Sequence, residues 1–273
     1  MNTWVNGRSG TTIDVQDRGL QYGDGLFETM RVRAGRIRLL EYHLERLQAG
    51  CRRLQITGPS HNVLRRELKS IAAGRDEAVL KLMVTRGIGA RGYRPTGRER
   101  CTRIASLHEL PPGVREDPAA PVRVRFCATP LGHNPRLAGL KTLNRLESVL
   151  ARAEWTDARI WEGLMRDTDE NIVCGTMSNL FLRRGSMLMT PMLDRCGVAG
   201  VMRRWILATA GQLKLRAVER RLRWHDLRDA EEIFLSNAVA GVRSVGSVEH
   251  GRERLRRTAF SGAQQLREYL ELL

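Results

Sequence analysis

From Pro111 to Pro121 the chain reads Pro-Pro-Gly-Val-Arg-Glu-Asp-Pro-Ala-Ala-Pro. Proline has no amide hydrogen to give to a helix or a sheet, so a segment this rich in it continues neither. The hydrophobic pattern on each side of the interruption must therefore close on a core of its own. This predicts a smaller N-terminal α/β domain over residues 1–110, a linker at 111–121 and a larger C-terminal domain over 122–273. At 273 residues the chain is long enough for one large core or two smaller ones.

Periodicity fills in both halves. Leu26 to Arg33 alternates as a strand, Ala34-Gly35 turns it and Arg36 to Leu39 returns, which predicts a hairpin. The preceding Asp17 to Gly25 is glycine-rich and polar and reads as a loop. From Leu40 the spacing changes to Leu40, His43/Leu44, Leu47, Cys51 and Leu54, a helical repeat stopped by Gly58-Pro59. A second helix fits Asn62 to Ala73, and strands fit Ala78 to Thr85 and Cys101 to Leu110, with a glycine-rich loop, Arg86 to Tyr93, between them. Beyond the linker, the pattern predicts a strand at Val122 to Ala128, a helix at Leu143 to Glu154 and a set of strands. A helix opened by Gly197-Val198-Ala199-Gly200 and another from about Ala259 complete the half. The class is α/β, in the broad sense that includes α+β.

With 42% hydrophobic and 28% charged residues, the composition is that of a globular chain. No apolar run approaches a membrane span, and the start lacks the charged and apolar regions of a signal peptide. A cytoplasmic protein without a membrane partner is expected. Cys51, Cys101, Cys127, Cys174 and Cys196 are odd in number and form no C-x-x-C pair, so free thiols and no metal are expected. The formal charge of +16 raises nucleic-acid binding as a remote alternative. Against it stand 5% aromatics, the lack of a recognition motif and arginines spread among acids, so no nucleic-acid partner is expected. A basic surface also attracts small anionic substrates.

Only four of the 46 basic residues are lysines: Lys69, Lys81, Lys141 and Lys214. Lys141, in Leu137-Ala-Gly-Leu-Lys-Thr-Leu-Asn-Arg-Leu-Glu147, sits among apolar residues at the predicted start of a helix. Arginine stays protonated, whereas a lysine in apolar surroundings can shed its proton and act as nucleophile or base; the plainer alternative is a snorkelling side chain. Four other pieces suit a phosphate or carboxylate. The Gly197 to Arg203 junction offers free amides at a helix start, though glycine turns have structural uses too. Leu235-Ser236-Asn237-Ala238 ends a strand with polar groups, which is also ordinary turn chemistry. Arg46 shares a helix face with His43, with a surface ion pair to Glu41 or Glu45 as the alternative. Arg86 and Arg91 can clamp a carboxylate or stand solvated in their loop. A reactive lysine with a phosphate cradle points to pyridoxal 5′-phosphate.

Taken together, Asp17 to Thr29, His43-Leu-Glu-Arg-Leu47, Leu140 to Glu147, Gly175-Thr-Met-Ser-Asn-Leu-Phe181, Thr190-Pro191, Gly197 to Arg203 and Ser236-Asn-Ala238 resemble the fold-type-IV pyridoxal-phosphate enzymes. That class contains branched-chain and D-amino-acid aminotransferases and 4-amino-4-deoxychorismate lyase. The resemblance runs nearly the whole length, and Arg86 to Tyr93 with Leu137 to Glu147 look most like the lyases. It implies a two-domain fold with the cofactor in the inter-domain cleft, a homodimer, and conversion of 4-amino-4-deoxychorismate to 4-aminobenzoate and pyruvate for folate biosynthesis. The alternative within the class is an aminotransferase for D- or branched-chain amino acids. It further implies Lys141, in the C-terminal domain, as Schiff-base lysine and general acid/base. Arg46, Gly197, Val198, Ala199, Asn237 and Ala238 would hold the phosphate, the Val198 and Ala199 amides among them, and Phe27, Arg91 and Tyr93 would hold substrate. One departure is Cys174, which stands where members usually carry the glutamate that pairs with the pyridine nitrogen. A buried neutral thiol is a poor partner for a pyridinium. That tilts the expectation towards the lyase, whose step is driven by aromatisation.

Overall fold

The computed structural model describes residues 2–111, 114 and 119–271. Residues 112, 113 and 115–118 of the predicted linker lie outside the described residues. Two compact units emerge, Met1–Pro111 with Leu140–Asn144, and Pro112–Gly139 with Arg145–Leu273.

The first unit carries strands β1 (Asn2–Val5), β2 (Arg8–Ser9), β3 (Gly25–Arg33), β4 (Arg36–Ile37), β5 (Glu77–Thr85) and β6 (Thr102–His108), and helices α1 (Arg18–Tyr22), α2 (Leu40–Leu54) and α3 (His61–Ala72). The sheet order is β2-β1-β6-β5-β3-β4, antiparallel throughout. Along β3, Leu26, Glu28, Met30 and Val32 are buried and the residues between them are not, the two-residue period of a sheet with one covered face. Helix α2 covers that face with Leu40, His43, Leu44, Leu47, Gly50 and Cys51. It approaches closely because Gly50 has no side chain; a Cβ there would stand 2.7 Å from Leu26 Cδ1. The stretch expected to be a loop before β3 contains α1 instead. The Asp17 carboxylate accepts the Gly19 N–H at 2.8 Å and caps it, and Gly23 ends it at φ 65°.

In the second unit the strands are β7 (Val122–Phe126), β8 (Ile160–Arg166), β9 (Ile172–Gly175), β10 (Asn179–Arg184), β11 (Met187–Pro191), β12 (Arg216–Arg220), β13 (Glu232–Asn237), β14 (Gly241–His250) and β15 (Glu253–Arg256). Helices α4 (Leu146–Arg152), α5 (Val201–Thr209), α6 (Trp224–Asp229) and α7 (Ser261–Glu271) accompany them. The order is β12-β11-β10-β13-β14-β7-β8-β9, with β15 on β14. Pairs β11/β12, β14/β7 and β7/β8 are parallel, making a mixed sheet. Its core is built from cross-strand pairs such as Phe181 and Phe234, which face each other in register and stack at 5.1 Å. No helix among the described residues is long and apolar enough to cross a membrane.

Leu140–Asn144 groups with the first unit, not with the C-terminal half in which the sequence places Lys141. The cause is backbone pairing with the start of β3. Phe27 N–H donates to Lys141 O at 3.0 Å, Leu143 N–H donates to Gly25 O at 3.0 Å, and Thr142 bridges to Leu26. The helix expected from Leu143 starts only at Leu146, so Lys141 lies on an extended segment and not at a helix end.

Candidate active site

Strand alternation sends the Phe27 and Glu28 side chains to opposite faces of β3. Glu28 is 1% exposed and meets two residues of α2 that one helical turn brings together. His43 Nδ1 lies 2.5 Å from Glu28 Oε2, Arg46 Nε donates to Oε1 at 2.8 Å, and Arg46 Nη2 donates to Oε2. Burial alone would push the Glu28 carboxyl up, but Arg46 and His43 outweigh it and hold its pKa at about 2. Burial lowers the His43 pKa and prevails over the opposing pull of Glu28, so a neutral imidazole donates Nδ1–H to a charged carboxylate. Its Nε2 is then an acceptor, buried and without a hydrogen-bond partner among the described residues, and the charge of Lys141 acts on the ring. Lys141 Nζ lies 4.1 Å over the centroid of Phe27. A second ammonium, Lys81 Nζ on β5, lies 5.5 Å from the same ring. Two of four lysines thus approach one phenyl ring, an attractive arrangement for each cation with the ring quadrupole.

The glycine-rich loop after β5 is fixed from below. Arg18 donates to the carbonyls of Gly92 and Tyr93, each at 2.8 Å, and to Asp24 at 3.0 Å. Arg86 donates to Asp24 at 2.7 Å and to the carbonyls of Gln55 and Leu54 at 2.7 and 2.8 Å. The expectation that Arg86 joins Arg91 in a ligand clamp is corrected accordingly, because its donors are spent on Asp24 and the end of α2. Arg91 is exposed. Tyr93 is 85% exposed, with its ring 5.4 Å from that of Tyr22.

In the second unit, Gly197 adopts φ +85° and Gly200 caps α5. A Cβ on Gly200 would stand 2.1 Å from Asn179 Oδ1, and Asn179 Nδ2 donates to Val198 O at 2.9 Å. The Ala199 amide, expected to serve a phosphate, is engaged: it donates to Gly139 O at 3.0 Å. The Val198 N–H makes no hydrogen bond among the described residues, so of the two expected amides it is the one left unengaged. Asn237 Oδ1 accepts from Val239 N–H at 3.0 Å and Ala240 N–H at 2.7 Å, which shapes the turn that carries Ala238. Ser236 Oγ, before that turn, is buried without a partner among the described residues. Cys174 pairs with Met165 in the β8/β9 ladder. Burial, with Cys196 and Glu162 acting in the same direction, pushes its thiol far up against the pull of Arg145, so it is a neutral S–H. Glu162 is fully buried and accepts from Thr176 Oγ1 at 2.5 Å, Ser178 Oγ at 2.7 Å and the amides of Gly163 and Met177. Its acceptor positions are taken up by Gly163 and by residues 176–178 of the turn between β9 and β10. Glu170 sits 63% exposed in the β8/β9 turn, paired with Arg166, away from the Cys174 position in the ladder.

The sequence profile described as Amino-transferase class IV matches residues 25–248. The chain belongs to the class IV aminotransferase family. An aminodeoxychorismate lyase of Vibrio harveyi is 33% identical over 245 residues, 90% of this chain and 90% of the relative. A putative branched-chain-amino-acid aminotransferase of Methanocaldococcus jannaschii is 29% identical over 257 residues, 91% and 88% of the two chains. Among solved structures, 4-amino-4-deoxychorismate lyase from Pseudomonas aeruginosa superposes with a TM-score of 0.89 at 44% identity, covering 98% of each chain.

Within this class IV chain, the first unit brings together Lys141, Phe27 and Arg46 among the residues expected from sequence, and adds Glu28, His43 and Lys81. The second unit assembles Gly197, Val198 and Ala199 on one turn and Asn237 and Ala238 on another. Lys81 was detectable in principle from the scarcity of lysine. Glu28 carried a weaker signal, an acid at a buried strand position whose partners lie on another element.

Proposed function

We propose that this chain is a pyridoxal 5′-phosphate-dependent lyase that converts 4-amino-4-deoxychorismate to 4-aminobenzoate and pyruvate. One observation carries the chemistry: the Lys141 amine, half-buried and 4.1 Å over the Phe27 ring. The choice of substrate rests on the lyases of Vibrio harveyi and Pseudomonas aeruginosa. The residues present suit the cofactor. Lys141 supplies an amine for its aldehyde, the unpartnered Val198 N–H beside the Gly197 turn suits its phosphate, and Arg46, Asn237 and Ala238 add a cation and a second turn. When bound, this cofactor withdraws electrons from the substrate carbon that bears the amine.

The Lys141 Nζ removes the proton from that ring carbon. The electron pair left behind becomes part of the aromatic ring as the bond to the enolpyruvyl oxygen breaks, and the departing enolate takes a proton to become pyruvate. Phe27 holds the lysine while it exchanges its proton. Lys81 and Lys141 form a positive locus for a substrate that bears two carboxylates, with Arg91 and Tyr93 as further substrate contacts. Cys174, a neutral thiol, offers no carboxylate to the ring nitrogen. Aromatisation drives the lyase step, whereas amino transfer has no such drive, so the thiol favours the lyase. We further propose a cytoplasmic homodimer. Leu146, Val149 and Leu150 are 77%, 59% and 61% exposed on one face of α4, an apolar stripe suited to a second copy.

Purified protein supplied with enzymatically made 4-amino-4-deoxychorismate is expected to release 4-aminobenzoate. Its absence from cofactor-loaded protein would overturn the proposal. The Methanocaldococcus jannaschii relative keeps an aminotransferase as the second reading, and conversion of bound cofactor to its amine form by an amino donor would favour that one.

A further inference from the structure

Three side chains that the lysine site does not use converge in the second unit. His133 lies between β7 and α4, Asp167 directly follows β8, and Cys196 lies between β11 and α5. One ligand atom from each falls within 4.8 Å of the others, and His133 Nε2 stands 3.1 Å from Asp167 Oδ2. Nitrogen and oxygen ligands at about 2.0–2.1 Å from a tetrahedral zinc ion stand about 3.3 Å apart, and a thiolate at about 2.3 Å stands about 3.6 Å from either. The nitrogen–oxygen pair is thus already at ligand spacing, and the sulfur has at most about 1.2 Å to travel.

The backbone holds the three segments together independently of these side chains. Leu131 N–H donates to Arg166 O and Asn134 N–H donates to Arg195 O, both at 2.8 Å. His133 is thereby bracketed between the residue before Asp167 and the residue before Cys196. Asp167 is 2% exposed. Its Oδ1 accepts from Asp169 N–H at 3.0 Å, Asn171 N–H at 2.8 Å and Asn171 Nδ2 at 3.1 Å, and Oδ2, which also accepts from Asn171 Nδ2 at 3.0 Å, faces His133. The His133 side chain keeps 25% of its surface, which gives an ion a path from solvent. In a chain of formal charge +16 the surroundings are acidic: Asp167, Glu147 and Asp194 all act on the Cys196 thiol. Arg221, the cation acting there, is held by Asp194 through two hydrogen bonds of 2.6 and 2.8 Å.

We propose that His133, Asp167 and Cys196 bind a divalent cation of the zinc type, with solvent as the fourth ligand. A mixed nitrogen, oxygen and sulfur set selects zinc-like ions over magnesium or calcium. As the sulfur–metal bond forms, the Cys196 S–H bond breaks and its proton passes to solvent. His133 presents the Nε2 lone pair, keeps its proton on Nδ1 and gives up its hydrogen bond to Asp167. The consequence for function rests on the proposed cofactor reading. Gly197 follows Cys196 directly, so drawing the thiolate towards His133 shifts the turn that presents Val198 and weakens phosphate binding. Spacing in the sequence carried no such signal, because the ligands come from three distant segments.

Cadmium titration of the full chain, freed of cofactor, reads thiolate ligation through its ultraviolet charge-transfer band and does not depend on which reaction the enzyme performs. One equivalent is expected, with the band lost in Cys196→Ser, at least tenfold weaker affinity in the exposed-site variant His133→Ala, and no change in Cys51→Ser. Zinc is expected to compete for the same equivalent and to lower pyridoxal phosphate affinity severalfold. A band that survives Cys196→Ser, or an unaltered affinity in His133→Ala with the fold intact by its melting curve, would overturn the site. An unchanged pyridoxal phosphate affinity with the band present would overturn the coupling. Loss of lyase activity with the band retained would speak only against the proposed reaction.

Discussion

The Lys141 ammonium lies 4.1 Å over the ring of Phe27, and the same two residues are joined through the backbone by the Phe27 N–H to Lys141 O bond of 3.0 Å. The Lys141 amine and the Phe27 ring are therefore positioned as one piece. Lys141→Ala is expected to abolish the cofactor-linked absorbance and the activity. Phe27→Ala is expected to keep the fold and lower kcat by roughly two- to thirtyfold, the range spanned by a cation–π contact of about 0.5–2 kcal/mol. Phe27→Tyr should retain most of it. Steady-state kinetics with a visible spectrum of each variant checks this, and an unaltered kcat in Phe27→Ala would contradict the platform role.

Lys81 reaches the same ring at 5.5 Å from β5, where it sits opposite Thr29. In the proposed lyase its charge would serve a dianionic substrate without a bond to the reacting atoms. Lys81→Met is expected to raise KM about tenfold while changing kcat less than twofold. In the parent protein KM should also rise with ionic strength, because exposed attraction is screened within about 8–10 Å. An equal fall in kcat would place Lys81 in the chemical step instead.

Asp24 holds Arg18 and Arg86 at once, at 3.0 and 2.7 Å, and through Arg18 it steadies the carbonyls of Gly92 and Tyr93. Asp24→Asn removes the charge both guanidinium groups rely on. The variant is expected to bind substrate severalfold more weakly and to be cut faster by trypsin at Arg91 and Arg98, both exposed, which limited proteolysis with mass spectrometry reads directly.

These relationships also mark what the sequence made legible. Helix α2 and strand β3 were visible because their periods of 3.6 and 2 are local properties of Leu40 to Leu54 and Leu26 to Arg33. The hairpin of β1 and β2 turns on Asn6-Gly7, both at positive φ, a type I′ signature that four- and two-residue strands left inconspicuous. The grouping of Leu140–Asn144 with the first unit was not legible, since it depends on hydrogen bonds to residues more than a hundred positions earlier. Nor was the engagement of the Ala199 amide, whose acceptor is the carbonyl of Gly139. Motif matching nominated the residues, but which donors remain for a ligand is decided by tertiary pairing.

Acid should destabilise the first unit in two stages. Glu28 keeps its charge in the fold down to about pH 2, whereas the unfolded chain takes up that proton near 4.5. Its contribution is complete above about pH 4.5 and is lost as pH falls towards 2; at about 1.4 kcal/mol per pH unit, the whole corresponds to roughly 3 kcal/mol. His43 acts at higher pH with the same sign. Burial lowers its pKa from the ordinary 6.5, so below about 6.5 the unfolded chain gains a proton that the folded chain does not. Denaturant melts between pH 7 and pH 3 should show stability falling throughout. Glu28→Gln should be less stable at pH 7 by about 3–5 kcal/mol, the cost of leaving a buried partner uncompensated, with a flatter slope below pH 4.5.

Cys174 offers the sharpest test of reaction type. Its thiol is neutral and buried, with Arg145 the opposing cation, and Arg145 is itself depressed by burial. Cys174→Glu introduces a carboxylate that Arg145 can pair with, beside a Glu162 already satisfied by Thr176 and Ser178 of the β9/β10 turn. Desolvation of the new group makes a loss of about 1–3 kcal/mol in stability the expected cost. If the ring nitrogen faces this position, the added charge strengthens electron withdrawal there. Conversion of the cofactor to its amine form by an amino donor should then accelerate at least tenfold, while 4-aminobenzoate release changes by less than threefold. Rapid-scan absorbance of both half-reactions decides the point: a parallel change in the two rates would mean that the thiol does not set the balance between lyase and aminotransferase.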